Sequence, residues 1–229
     1  MTTVSEYLYF STDVYNNEPI SPLINNWQVA SDNKQPKFMD NFFARLYVNE
    51  FKQQSIIAYR GTLPNRGDTV ADIQIAISHF SSQDQQTKDY FEWAKGYLYE
   101  NVGQAGSKFP AVTGHSLGGY LASLIGAENP DVLAVTFNAP GIGGLYDPEY
   151  GYIDPKKKYP NIHNYNIGND PIHRIGRQIG NVTKLRGHSY CSPIVTVLGG
   201  AVYTLYCGYH EHRVETVREF IGKFAFVEY

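Results

Sequence analysis

The sequence VTGHSLGG, residues 112–119, is the strongest indication of the fold, because it places the pattern G-x-S-x-G around Ser116. An apolar run at 109–113 leads into it and a run of small residues at 117–127 follows, which is the strand–turn–helix context of a nucleophile elbow. Such a tight turn strains the serine backbone and lifts its hydroxyl out of the sheet, while the flanking glycines give the turn room. The motif predicts a nucleophilic Ser116. The alternative is a glycine-rich packing turn whose serine only caps a helix.

Strand and helix patterns alternate on both sides of this motif. The remaining strand patterns lie at 42–48, 54–59, 132–138 and 162–167, and the helical patterns lie at 6–15 and 85–102. Buried strands that alternate with helices predict an α/β fold with a mostly parallel central sheet flanked by helices. Chemistry in such sheets lies beyond the carboxyl ends of the strands. We expect a single domain over residues 1–229, since no repeat or long linker interrupts the chain.

Composition excludes several classes of protein. The chain has 229 residues, of which 42% are hydrophobic, and its net charge of −3 argues against a nucleic-acid partner. Two cysteines, Cys191 and Cys207, are too few for a disulfide scaffold, and whether they pair stays open. The N-terminus lacks a basic start followed by an apolar run, so a cytoplasmic location is expected by default, with export without a signal peptide as the alternative.

A nucleophilic serine needs a base that a carboxylate orients, and in this fold the chain order is serine, acid, histidine. Asp170 stands out among the acids after Ser116, because it follows the strand pattern at 162–167 in a Gly-Asn-Asp-Pro turn. The other reading of Asp170 is an ordinary turn aspartate before proline. The remaining candidate acids are Asp131, Asp147 and Asp154.

Four histidines follow Asp170, and the base is harder to choose. His173 is too close to the acid in sequence, whereas His188 lies in a plausible loop. His210 and His212 precede an amphipathic segment, at the last loop before a C-terminal helix, where an inward-reaching base is expected. Two histidines at positions i and i+2 cannot face the same way in an extended stretch, so we expect one of them to be the base. Since this pair lacks the further ligands of a zinc site, a metal is not expected there.

The motifs together resemble the class 3 lipase family, the fungal-lipase-like branch of the α/β-hydrolases. Residues 57–62 (IAYRGT) look like that family's F-R-G-[ST] strand end, and 113–119 is similar to its elbow. Residues 137–140 (FNAP) and 169–172 (NDPI) look like its F-x-x-P strand end and its acid turn. The segment DVYN at 13–16 also resembles the start of a bacterial subgroup of these hydrolases.

The resemblance implies an α/β-hydrolase fold, a role for each site residue, and no cofactor or metal. Ser116 attacks the acyl carbon, Asp170 holds the imidazole tautomer, and the backbone N–H groups of Thr62 and Leu117 receive the oxyanion. In the bacterial subgroup the base opens a segment like His-Ser-Met-Asp-x-Tyr, which HRVETV at 212–217 matches loosely. His212 is therefore the preferred base and His210 the alternative.

These features predict an ester hydrolase that acts on acyl lipids as a lipase or a phospholipase A1. The uncharged segment 187–209 favours a long acyl chain, and the 19 tyrosines allow peripheral membrane contact as an alternative to simple core packing. The turn-rich residues 63–69 predict a short or absent lid, and the insertion 141–159 is the other candidate cover of the site. Two alternatives stay open, namely a soluble short-chain esterase and a catalytically silent lipase-like interaction module.

Overall fold

The structure is a computed structural model that describes residues 2–20, 22–30, 42–62, 82–102, 109–168 and 170–185. These residues form helices α1 (Val4–Asp13), α2 (Ser82–Asn101) and α3 (Leu117–Glu128). The strands are β1 (Gln28–Val29), β2 (Ala44–Asn49), β3 (Gln54–Tyr59), β4 (Ala111–His115), β5 (Ala134–Phe137), β6 (Tyr146–Asp147), β7 (Gly151–Tyr152), β8 (Ile162–Ile167) and β9 (Asn181–Leu185). Short 3₁₀ turns lie at Ile24–Asn26 and Ile172–Arg174.

Seven strands form one sheet in the order β1-β2-β3-β4-β5-β8-β9. Strands β1, β2 and β3 pair antiparallel, whereas β3, β4, β5, β8 and β9 run parallel. The predicted mostly parallel sheet is thereby confirmed. Because parallel strands end at the same edge, the residues that follow β3, β4, β5 and β8 meet at one end of the sheet.

Helices cover both faces of this sheet, and the alternation of side chains along each strand explains why. On β3, Ile57 and Tyr59 pack with the apolar residues of α2 and α3, whereas Ile56 and Ala58 pack with those of α1. Successive side chains of a strand point to opposite faces, so a strand buried on both faces needs an uninterrupted apolar run. The run at 56–59 of β3 meets this need.

Helix α1 begins with a capping box in which the side chains of Thr3 and Glu6 each accept from the other's backbone N–H. The buried Glu6 carboxylate also accepts from Lys52 at 2.7 Å and from the Trp27 indole at 3.0 Å. Burial alone raises the pKa of Glu6, but the hydrogen bonds from Lys52, the Thr3 backbone and Trp27 outweigh it and lower that pKa to about 2. Glu6 therefore ties α1 to the chain around β1 and β3.

Four strands, namely β1, β6, β7 and β9, were not predicted from the sequence. Strand β9 (Asn181–Leu185) was not predicted, because it is an exposed edge strand with no apolar run. The insertion 141–159 contains the β6–β7 hairpin, whose Asp147 is buried against Lys88 of α2. The three lysines at 156–158 are exposed. Within the ranges that the structure describes, no helix has both the length and the apolar character needed to cross a bilayer.

Candidate active site

Ser116 lies at the sharp turn between β4 and α3, with φ 58° and ψ −129°. These angles are strained for a residue that has a Cβ atom. The Ser116 N–H donates to the Phe137 carbonyl of β5 at 3.0 Å, and the Ser116 carbonyl accepts from Gly119 at 2.9 Å and from Tyr120 at 3.1 Å. The side chain of Ser116 makes no cap hydrogen bond to α3, so the reading of this serine as a helix cap is wrong. The predicted strand–turn–helix context is confirmed.

Two glycines of the motif let the backbone segments of the turn approach one another. A Cβ atom on Gly118 would collide with the carbonyl oxygen of Tyr59 at the end of β3. A Cβ atom on Gly114 would lie 2.7 Å from the backbone nitrogen of Gly119 and would collide with Gly118. Helix α3 therefore starts directly against the ends of β3 and β4, which is why the turn needs glycine at both positions.

The two predicted oxyanion donors lie at the same end of the sheet as Ser116. A Cβ atom on Gly61 would be 3.3 Å from the Ser116 Cβ and 2.6 Å from the His115 carbonyl, so the loop that carries Thr62 rests against the elbow. Leu117 is the first residue of α3, where the backbone N–H has no partner within the helix and the helix dipole favours negative charge. Their role as oxyanion donors stays a prediction.

Asp170 follows β8 and is completely buried. Its carboxylate Oδ1 accepts a hydrogen bond from the Ile172 N–H at 2.8 Å, and its own N–H donates to the Ile167 carbonyl at 3.1 Å. Strand β5 lies between β4 and β8, so Asp170 lies roughly 10 Å across the sheet from the strand that bears Ser116. An imidazole between the two side chains would bridge such a gap.

The other candidate acids have different surroundings. Asp131 and Asp154 are exposed, and the Asp147 carboxylate pairs with the Lys88 ammonium at 2.7 Å. Burial raises the pKa of Asp147, but the hydrogen bonds from Lys88 and Glu128 outweigh it, so that this pKa is lowered. Asp170 therefore has the surroundings expected of the acid, and its catalytic role stays a prediction.

Sequence reasoning missed Asn138, which follows β5 and has a left-handed φ of 46°. Its side-chain Oδ1 accepts from the Ile167 N–H at 2.8 Å, and its backbone N–H donates to the Tyr165 carbonyl at 2.9 Å. Asn138 thus fastens the end of β5 to the end of β8, three residues before Asp170. The asparagine of the FNAP motif was the available signal, because asparagine is favoured where a non-glycine residue has positive φ.

Several predicted features lie outside the described residues: the preferred base His212, its alternative His210, His188, the two cysteines, the lid segment 63–69 and the uncharged segment 187–209. His173 lies within the described part, half-buried in the 3₁₀ turn that follows Asp170. It is only three residues beyond Asp170 in the chain, so it does not lie on a separate loop from which a base could reach Ser116.

Comparison with known proteins identifies the family. A profile of the Tle-like phospholipase domain, described as phospholipase-like, matches residues 8–204. The chain belongs to the Tle-like phospholipase family. Membership of this family makes the chain a carboxylic ester hydrolase and confirms the resemblance to lipases, whereas the bacterial subgroup stays a prediction. No curated protein matches the sequence.

Solved structures similar to this chain include lipases, two of them from fungi. Lip2 lipase from Yarrowia lipolytica is 17% identical, with a TM-score of 0.52 over 80% of this chain and 78% of its own. A deletion mutant of the Rhizomucor miehei lipase–propeptide complex is 15% identical, with a TM-score of 0.53 over 82% and 67%. A triacylglycerol lipase described as having a serine protease triad is 15% identical, with a TM-score of 0.52 over 80% and 78%. At these identities the likeness confirms the predicted α/β-hydrolase fold.

Proposed function

We propose that this protein hydrolyses carboxylic esters of acyl lipids, phospholipids in particular, through a Ser-His-Asp triad and an acyl-enzyme intermediate. The single observation that carries the proposal is Ser116, held in a strained conformation directly before the first turn of α3. A strained serine between a strand and a helix N-terminus is the arrangement that presents a nucleophile beside oxyanion donors. The family description supports the phospholipid class of substrate.

The proposed reaction has two halves. The Ser116 Oγ attacks the acyl carbon while its proton passes to the imidazole of His212, with His210 as the alternative base. The oxyanion accepts hydrogen bonds from the backbone N–H groups of Thr62 and Leu117. When the tetrahedral intermediate collapses, the imidazolium returns the proton to the leaving alcohol, and the acyl group stays on Ser116. Water then attacks the acyl-enzyme with the same imidazole as base, and the free fatty acid leaves.

Asp170 fits the part of the acid that orients the base. Its Oδ1 is occupied by the Ile172 N–H, which fixes the plane of the carboxylate. A buried carboxylate in a fixed orientation would hold one tautomer of the imidazole and stabilise the imidazolium that forms during attack. The triacylglycerol lipase with a serine protease triad supports this assignment by analogy, since it shares the fold.

The first experiment measures labelling by a serine-directed fluorophosphonate in wild type and in Ser116→Ala, Asp170→Asn, His212→Ala and His210→Ala. We expect labelling of wild type, none of Ser116→Ala, and slow labelling of Asp170→Asn and of one histidine variant. The matched control is Ser123→Ala, which removes a buried hydroxyl from the same helix and should label as wild type does. A wild-type protein that is not labelled would favour the silent interaction module.

A second experiment separates the substrates. Hydrolysis is measured on short, medium and long acyl esters and on phospholipid and triglyceride, each in monomeric and in vesicle or emulsion form. Release of fatty acid from phospholipid vesicles at a rate well above that from triglyceride supports the phospholipase assignment. Activity confined to acetyl or butyryl esters would contradict the lipid substrate and favour a soluble esterase.

We also propose peripheral contact with a lipid surface through the β6–β7 hairpin. Tyr146 and Tyr152 are paired across the hairpin and are 69% and 60% exposed. Tyrosine rings with a polar tip are favoured at the membrane–water interface, and the exposed lysines at 156–158 would each add about 1 kcal/mol near anionic lipid. Sedimentation with phosphatidylserine-containing vesicles tests this. Tyr146→Ser with Tyr152→Ser should weaken binding, whereas Tyr99→Ser, at an equally exposed site on α2, should not.

A further inference from the structure

A tyrosine from the N-terminal segment reaches the nucleophile elbow. Tyr15 follows α1, and its Oη lies 3.2 Å from the Nδ1 of His115, the residue directly before Ser116. The same hydroxyl donates to the His115 carbonyl at 3.5 Å. His115 is buried, so its imidazole lies inside the protein. The two residues are 100 positions apart in the chain, and their contact joins the N-terminal segment to the elbow.

The Tyr15 hydroxyl also borders the loop that carries Thr62. A Cβ atom on Gly61 would collide with the Tyr15 Oη and would lie 3.3 Å from the Ser116 Cβ. The hydroxyl therefore lies where the elbow and the end of β3 come together. Any shift of Tyr15 would change the space between the nucleophile and the first oxyanion donor.

A buried ion pair holds the segment from which Tyr15 projects. Asp13 and Arg45 pair at 3.1 Å with both side chains almost fully buried. The Asp13 Oδ2 atom that pairs with Arg45 also accepts a hydrogen bond from the Tyr47 hydroxyl at 2.6 Å. The Asp13 Oδ1 atom accepts from the Ile20 N–H at 2.8 Å. The Asp13 carboxylate thus accepts hydrogen bonds from strand β2 and from Ile20, and these bonds hold both ends of the segment 13–20.

Arg45 fixes the backbone of this segment directly. Its guanidinium donates to the carbonyls of Asp13, Asn16 and Asn17 at 3.1–3.2 Å. Burying two charges costs several kcal/mol unless further hydrogen bonds satisfy them, and here those bonds go to the backbone on either side of Tyr15. The backbone on both sides of Tyr15 is therefore held by Arg45.

We propose that Tyr15 is a positioning residue of the catalytic site, which holds the His115 imidazole and the Gly61 loop so that Ser116 and the Thr62 amide keep a fixed separation. This inference rests on the proposed hydrolase function. Reacting groups must be held to a fraction of an ångström, and a 1 Å misplacement costs about 100-fold in rate. The tyrosine acts through its contacts with His115 and Gly61, and it takes no part in proton transfer.

The test replaces the hydroxyl alone, with Tyr15→Phe, and measures kcat and KM per fluorophosphonate-titrated site together with the Tm. We expect kcat to fall about tenfold with KM changed by less than about twofold, because the loss is one of transition-state alignment. The control is Tyr9→Phe, since Tyr9 is a half-buried tyrosine on α1, and it should retain wild-type kcat. A Tyr15→Phe variant with wild-type kcat and only a lower Tm would overturn the proposal.

A double-mutant cycle tests the route through His115. If Tyr15 acts through that imidazole, Tyr15→Phe adds little to the kcat loss caused by His115→Phe. His115→Asn, which keeps a polar atom near the position of Nδ1, should retain more of kcat than His115→Phe. Full additivity of the two losses in kcat would contradict the route through His115.

Labelling by the fluorophosphonate separates the failure of this inference from the failure of the proposed function. If wild type is not labelled, the proposed function itself is refuted. If wild type and Tyr15→Phe are labelled at the same rate, only this inference is refuted.

Discussion

The side-chain oxygen of Asn138 accepts a hydrogen bond from the backbone N–H of Ile167 at 2.8 Å, and this bond joins the strand beside Ser116 to the strand that leads to Asp170. Asn138 makes it from a left-handed conformation, with φ 46°. Only glycine adopts that region without cost, and asparagine is one of the few other residues that visit it. The position of Asp170 relative to Ser116 therefore depends in part on one asparagine.

Two substitutions at Asn138 separate the hydrogen bond from the conformation. Asn138→Gly keeps the backbone angle but leaves the buried Ile167 N–H without this acceptor, so we expect a loss of about 1–3 kcal/mol. Asn138→Ala loses the bond and also strains the backbone by about 1–2 kcal/mol, so it should be the less stable variant. Both should lower kcat, because Asp170 is held less firmly. Urea unfolding and ester hydrolysis measure the two effects. Equal stability of Asn138→Gly and wild type would contradict this account.

The elbow makes a sharper steric prediction at Gly118. A Cβ atom there would collide with the Tyr59 carbonyl at the end of β3, a strand that is paired on both sides and so resists movement. We expect Gly118→Ala either to fail to fold or to lose at least about 100-fold in kcat, because α3 and Ser116 shift together. Circular dichroism and fluorophosphonate labelling distinguish the two outcomes. Wild-type activity in this variant would show that the turn accommodates a Cβ atom at position 118 and would contradict this prediction.

Gly96 is the matched control for that substitution. It lies in α2, and a Cβ atom there would meet nothing within 4 Å. Alanine is favoured over glycine in a helix interior by about 0.5–1 kcal/mol, so Gly96→Ala should be neutral or slightly stabilising with full activity. A comparison of the two alanine variants then isolates the contact at the elbow from the general effect of removing a glycine.

Much of the sheet and its helices could be predicted because each element depends on a local pattern. The pattern at 54–59 matches β3 (Gln54–Tyr59), and the small-residue run at 117–127 matches α3 (Leu117–Glu128). Strand β9 could not be predicted this way, since an edge strand exposed to water needs no apolar periodicity. The predicted base, His212, lies outside the described residues and stays a prediction.

The contacts around the site were not predictable for a different reason. Tyr15 and His115 are 100 residues apart, and Asn138 and Ile167 are 29 apart. Neither pair leaves a local periodicity, because each depends on the sheet bringing distant segments together. The motifs therefore pointed to Ser116 and Asp170 as the predicted nucleophile and acid, whereas the residues that hold the two apart emerge only from the fold.

Stability should depend on pH through Glu128, whose carboxylate lies 3.1 Å from the Lys88 ammonium. Burial raises the pKa of Glu128 to about 8, and a hydrogen bond to Asp147 adds to that rise against the opposing charge of Lys88. Glu128 is then protonated in the folded protein at neutral pH but ionised in the unfolded chain. Folding takes up a proton between pH 4.5 and 8, so this contribution to stability falls as the pH rises through that window.

Glu128→Gln tests this dependence, because glutamine resembles the protonated acid at every pH. We expect the unfolding free energy of the variant, relative to wild type, to increase by at least about 1 kcal/mol between pH 5 and pH 8.5. Urea unfolding at several pH values gives the two curves. If the difference in unfolding free energy between the variant and wild type stayed constant across this range, Glu128 would have the same pKa in the folded and the unfolded chain.

Glu6 should show the opposite pH dependence. Its folded pKa of about 2 lies below the ordinary value of 4.5, so its contribution to stability is present above pH 4.5 and is lost as the pH falls towards 2. Glu6→Gln removes the charge that Lys52 and Trp27 satisfy, and it should cost about 2–3 kcal/mol at pH 7. The cost should shrink towards zero near pH 2, where wild-type Glu6 is itself becoming protonated. Urea unfolding at pH 7 and near pH 2 measures both values. An equal cost at the two pH values would show that Glu6 stabilises α1 by packing and not by its charge.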